Sequence, residues 1–166
     1  VGLHPIHVGE QRKVDVLEVQ SEQRRGESWM TFETKAEEFD YEKYKELTKS
    51  KKVVAIGEFG LDYYYRPKSK AKLEVFKAKQ KEVFLKQLEL AEEAHLPVIL
   101  HCRVAHDDML DILNSKFEIR NSKFHGVVHC FTGTVEQAEK FMALGLYIGF
   151  NGLILKDVPA LPNPEE

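Results

Sequence analysis

The stretch VVAIGEFGLDYYY, residues 53–65, runs through β-branched and apolar residues and arrives at a carboxylate, Glu58, set between Gly57 and Gly60. VVAIGE has the uniformly apolar character of a strand buried on both faces, as parallel strands are. An acid at the tip of such a strand needs an explanation, and the segments around it lead to one: Glu58 reads as a metal ligand.

Downstream, strands and helices alternate. KAKLEVFKAKQKEVFLKQLELAEEAH (70–95) predicts a long helix with Leu73, Phe76, Val83, Phe84, Leu88 and Ala91 on one face. PVILH (97–101) is a strand, DMLDILNSKF (108–117) a helix, GVVH (126–129) a strand, VEQAEKFMALG (135–145) a helix closed by Gly145, and LYIGFNG (146–152) a last strand. Upstream, Asp40 offers an N-cap to a short helix, YEKYKELTKS (41–50). VDVLEVQ (14–20) and ESWMTFE (27–33) alternate apolar and polar residues around SEQRRG, which predicts a hairpin inserted over residues 11–39. VGLH (1–4) opens as a strand that Pro5 ends. Five short strands with helical crossovers fit a doubly wound sheet or part of a (β/α)8 barrel, and a complete barrel takes about 250 residues. The count favours a partial barrel in one domain, residues 1–166.

Composition narrows the setting. With 166 residues and 43% hydrophobic content the chain has one core of ordinary size, and its net charge of −3 argues for no general affinity for polyanions. No apolar run is long enough to span a bilayer, no signal-peptide pattern opens the chain, and two cysteines are too few for a disulfide framework. A soluble, cytoplasmic protein is the expectation, with no membrane or protein partner. The chain starts at VGLHP and stops at LPNPEE, both beside strand-like segments, which reads as a piece of something longer.

Three successive strands end on chemistry: VVAIGE on Glu58, PVILH on His101 and GVVH on His129. A single histidine at a strand end is ordinarily a hydrogen-bonded core or loop residue. In parallel α/β folds, however, strand C-termini converge on one rim, so one carboxylate and two imidazoles are expected to meet there. Such a set suits zinc, manganese or a similar divalent ion and leaves a coordination position open. Cys102 and Cys130 each follow a histidine; strand alternation would point them towards the helices as small buried groups.

AIGEFGLDYYY, PVILHCR, VVHCFTGT, LYIGFNG and the leading VGLHP together resemble the TatD family of metal-dependent hydrolases, a branch of the amidohydrolase-like TIM barrels. The resemblance implies one or two divalent metal ions (Mg, Mn or Zn), with Glu58 bridging and His101 and His129 completing one site. It also implies hydrolysis by a metal-activated water, chiefly of DNA phosphodiesters. Amide or ester hydrolysis by the same water, and a non-catalytic metal- or nucleic-acid-binding role, are the alternatives. The chain departs from the family at both ends, since neither an HxH-like first strand nor an ETDAP-like last strand is found in this sequence. A partial barrel lacking the first and last strands is therefore expected to be a weak catalyst alone, with an exposed sheet edge.

Around the rim, Asp62 is a candidate catalytic residue, orienting a water or acting as base, or else a capping group after a Gly-Leu turn. Arg103 is a candidate phosphate clamp, and His4 a phosphate contact or a donor behind the ligands. Eight basic residues between Arg66 and Lys86 face only Glu74 and Glu82; of these, Arg66 and Lys68 lie nearest the rim as nucleic-acid contacts, with the tyrosines of GLDYYY available for base stacking.

Overall fold

The computed structural model describes residues 1–9, 13–15, 31–33, 36–120 and 123–152, with the backbone alone at 13–15, 31–33 and 117–120. Among these, β1 (Lys13–Asp15) pairs antiparallel with β2 (Thr31–Glu33), Val14 opposite Phe32. This is the base of the expected hairpin; residues 16–30 of the insertion lie outside the described residues. Helix α1 (Tyr41–Thr48) starts where Asp40 accepts a hydrogen bond from the Lys43 amide, as the N-cap pattern predicts.

The rest is strand and helix in alternation: β3 (Ile56–Asp62), α2 (Lys70–Glu93), β4 (Val98–Arg103), α3 (His106–Arg120), β5 (Gly126–His129), α4 (Val135–Ala143) and β6 (Leu146–Ile148). All pairings in this sheet are parallel and the order is strictly β3-β4-β5-β6. A doubly wound sheet reverses direction from its first strand, whereas a barrel proceeds in order, so the topology is that of a partial (β/α)8 barrel that does not close.

The core lies between sheet and helices. Ile56, Phe59 and Leu61 from β3, Val98, Leu100 and Cys102 from β4, and Val128 from β5 are buried against Phe84, Leu88, Met109, Leu113 and Phe141. The opposite face is open, contrary to the expectation of strands buried on both sides. Along β4, buried Val98, Leu100 and Cys102 alternate with half-buried Ile99, His101 and Arg103. Exposure on that open face rises towards β6, where Tyr147 is 77% exposed.

Two further expectations change. VGLH makes no strand of its own: Val1 forms one rung with β3, its N–H to Ala55 O and its carbonyl accepting from Gly57, before Pro5–His7 turn as a short 3-10 helix. Leu3 is paired instead by a side chain. Its N–H donates to Gln87 Oε1 at 2.6 Å and its carbonyl accepts from Gln87 Nε2 at 3.1 Å. Two turns earlier on α2, Gln80 treats Asp62 the same way, at 2.8 and 3.0 Å. Both amides are buried and would be costly without these partners. The second change is that GLD is no turn: β3 continues past Glu58 to Asp62, with Leu61 beside Cys102 and Asp62 beside Arg103.

Candidate metal centre at the rim of the sheet

Strand β3 carries an irregularity that aims Glu58. Gly57 pairs with Ile99 and Phe59 with Leu100, so Glu58 is an extra residue bulged out of the ladder. Gly60 then lies so close to β4 that a Cβ on it would be 1.9 Å from the His101 carbonyl oxygen. These two features hold the carboxylate of Glu58 next to His101.

His101 is bracketed by acids. Its Nδ1 lies 2.9 Å from Glu58 Oε1 and its Nε2 lies 3.0 Å from Asp62 Oδ2. Asp62 is 4% exposed and its other oxygen accepts the Tyr64 amide at 3.0 Å. Burial alone would raise the Asp62 carboxyl, but the His101 hydrogen bond, its charge and the Tyr64 amide together hold it below the usual range. Since an ionised carboxylate only accepts, the His101 Nε2 carries a proton. Burial would lower His101, yet hydrogen bonds to Asp62 and Glu58 push it up to about 9. Glu58 is held low chiefly by its hydrogen bond with His101.

His4 joins this pair. Its Nε2 is 3.1 Å from His101 Nδ1 and 3.8 Å from Glu58 Oε1, and burial, followed by the charge on His101, pushes it down to about 4. Oxygen and nitrogen donors of His4, Glu58 and His101 all lie within 4.8 Å of one another. Glu58 Oε1 and His101 Nδ1 form an N/O donor pair with a carboxylate behind the imidazole, an arrangement that fits a divalent cation.

His129, the third expected ligand, lies outside this cluster, although its charge still reaches Glu58. It neighbours His101 in the ladder, yet its Nε2 is 2.9 Å from Cys130 Sγ and the residue is exposed. Cys102 is buried as expected, but Cys130 is not: β5 stops at His129, Cys130 takes φ 49°, and its sulfur returns to the rim, where Asn151 Nδ2 also reaches it at 2.9 Å. Neither contact follows from the sequence, because both depend on where β5 ends.

Arg103, two residues beyond His101, lays its guanidinium 3.5 Å from the centre of the Tyr64 ring and 5.3 Å from that of Tyr65. Arg66 is half-buried and Lys68 exposed at the start of the following segment. The more distant lysines have other duties: Lys79 and Lys86 pair with Glu82, Lys81 with Asp108, and Lys77 lies over Tyr63.

The chain is similar to known proteins. "Uncharacterized metal-dependent hydrolase YcfH" of Escherichia coli K12 is 40% identical over 116 residues, 70% of this chain and 40% of that protein. The "3'-5' ssDNA/RNA exonuclease TatD" of Erwinia billingiae is 44% identical over 110 residues, 66% of this chain and 38% of that one. The crystal structure of YJJV, a TatD homolog from Escherichia coli K12, superposes with a TM-score of 0.62 at 30% identity, covering 96% of this chain and 49% of the other. The chain thus spans well under half the length of these two curated relatives. Residues 1–160 match the model of the TatD related DNase family, and the chain belongs to that family.

Proposed function

We propose that a barrel carrying these residues hydrolyses phosphodiester bonds of nucleic acid with a divalent cation held by Glu58 and His101. The observation that carries this reading is the pairing of Glu58 Oε1 with His101 Nδ1 at 2.9 Å while Asp62 holds the far side of the ring. The exonuclease name of the Erwinia relative supports single-stranded DNA or RNA as substrate. A bound cation would lower the pKa of water to about 7 and draw charge from a phosphoryl oxygen. The N/O donor pair suits zinc or manganese.

The chain's own residues do the rest. Asp62 holds the His101 ring, a positioning role. Arg103 offers its guanidinium to a phosphate while Tyr64 and Tyr65 keep it flat, and Arg66 and His4 flank the approach. His129 keeps its Nε2 against Cys130 Sγ beside this pair. Two free thiols accord with a reducing, cytoplasmic compartment.

The test is Mn2+-dependent shortening of an end-labelled single-stranded oligonucleotide, alongside Mn2+ uptake measured by electron paramagnetic resonance. Glu58→Gln is expected to lower both by about 100-fold or more. Neither cleavage nor uptake by the unaltered chain, or indifference of both to Glu58→Gln, would overturn the proposal. Turnover of small esters or amides with none of the oligonucleotide would replace the substrate class.

A further inference from the structure

Among the described residues two aromatic side chains are largely exposed: Tyr147, at 77% on the open face of the sheet, and Phe150, at 61% just past the end of β6. A single exposed apolar side chain ordinarily needs no explanation. Phe150, however, is held from both sides. The Gly149 carbonyl before it accepts the Phe131 N–H at 2.9 Å, and the Asn151 amide after it reaches Cys130 Sγ at 2.9 Å. Its ring also stands on a footing. Phe150 meets Phe131 at a centroid distance of 6.4 Å and 85°, and Phe131 meets His106 at 5.3 Å and Phe141 at 6.2 Å in the same edge-to-face manner. Phe141 is fully buried and His106 nearly so; His106 Nε2 has no hydrogen-bond partner among the described residues, so that imidazole serves the cluster as a flat ring.

An edge-to-face pair uses at most one face of either ring. Phe150 therefore keeps at least one face that Phe131 does not cover, on a ring with little motion left to lose when something binds. Location selects the ligand. Asn151 touches Cys130, Cys130 touches His129, and His129 neighbours His101 in the ladder, so Phe150 shares the rim with the Glu58–His101 pair. β6 is two strands on from β4, roughly 10 Å across a sheet, while Tyr64, which follows β3, lies to the other side. A flat apolar group that comes this near a phosphodiester at the cation is the base of an adjoining nucleotide. Gly149, Asn151 and Gly152 flank Phe150 in the chain and give an apolar protein partner nothing more to cover.

We propose that Phe150 is a stacking platform for a nucleobase of a single-stranded substrate, seating the nucleotide beside the one whose phosphodiester lies at Glu58 and His101. Every base has a π face, so the platform tolerates any sequence, and it favours unpaired strand, whose bases can be splayed out to meet a ring. The inference rests on the nucleic-acid reading of the Glu58–His101 pair and adds to it a place for a base.

The test is binding of fluorescein-labelled thymidine tetranucleotides to the full chain in Mn2+, read by fluorescence anisotropy, with phosphorothioate linkages that resist cleavage. Phe150→Ala is expected to weaken binding about 10-fold, the scale of one stacked base. Phe150→Trp, with a larger ring, should bind at least as tightly as the unaltered chain, and Phe150→Leu, apolar but without a π face, should resemble the alanine variant. Replacing each base in turn by an abasic sugar should find one position whose loss weakens the unaltered chain about 10-fold and the Phe150→Ala chain less than about 2-fold. Equal affinity in all the variants, or Phe150→Leu as tight as the unaltered chain, overturns the proposal. So does an abasic loss of the same size with and without the Phe150 ring. An unaltered chain that does not bind the tetranucleotide removes this inference and the nucleic-acid reading together. If binding depends on Phe150 as expected but the ordinary tetranucleotide is not shortened in Mn2+, the platform stands and the hydrolytic reading fails.

Discussion

The chain contains the dipeptide His-Cys twice, at 101–102 on β4 and at 129–130 on β5, and His101 and His129 are neighbours in the same ladder. Their surroundings differ in every respect. His101 has a carboxylate on each nitrogen and Cys102 is 3% exposed, while His129 is exposed and touches the sulfur of its own successor. The cause is how far each strand runs. β4 continues to Arg103 because β3 continues beside it to Asp62, so strand alternation holds Cys102 on the helix side. β5 stops at His129, and the left-handed backbone at Cys130 brings its sulfur round to the side of its histidine. Identical local sequence becomes a locked site or a loose one according to the length of the neighbouring strand.

The largest break in this contrast should come from glycine. Gly60 (φ +155°) has the His101 carbonyl in the place of a Cβ, at 1.9 Å, and backbone cannot yield as a side chain does. Gly60→Ala is expected to cost more than about 3 kcal/mol, read as a lower urea midpoint. Its counterpart on the looser side, Gly149, has its nearest would-be neighbours at 3.2 and 3.3 Å. Gly149→Ala should cost less than about 1 kcal/mol. Equal losses would show that the β3–β4 contact is not what sets the two halves of the rim apart.

A smaller effect sharpens the same comparison in metal binding. Asp62→Asn can turn its amide N–H2 towards His101 Nε2, which drives the imidazole proton to Nδ1 and against the cation. Mn2+ affinity should fall about 10- to 100-fold with the fold retained. Cys130→Ser, on the other rim segment, should change it less than about 2-fold. A loss in Cys130→Ser comparable to that in Asp62→Asn would mean that His129, freed or disturbed by its neighbour, belongs to the ligand set after all.

Much of this molecule is legible in its residues. The alternation of apolar runs and amphipathic helices marks the sheet, and Asp40 and Gly145 mark helix ends where the structure has them. Glu58 and His101 are readable as one site because parallel strands share a rim. What cannot be read is whatever depends on a distant partner. Gly60 and Asp62 have the chemistry of a turn, yet they are strand because β4 lies against them and Gln80 pairs with the Asp62 backbone. Gln80 and Gln87 sit on the buried face of α2, where an apolar pattern has no place for them, because each replaces a missing strand neighbour. The Ile6 amide that orients His4 is close in sequence, but only the turn after Pro5 makes it a donor to that ring.

The mildest probe leaves the fold intact and reads the two cysteines. Both are free thiols, so a small alkylating agent such as iodoacetamide can report on each. Cys102 lies in the core and burial pushes its thiol up, which removes both access and thiolate. Cys130 is half-buried on the rim. One equivalent should therefore react in the native chain, at Cys130 by peptide mapping, and the second only in urea. Because Cys130 holds the His129 ring, modified chain should also show a changed His129 resonance and an unchanged His101. If Cys102 reacts as fast as Cys130 under native conditions, β4 does not persist to Arg103 in solution, and the feature that distinguishes the two His-Cys pairs is lost.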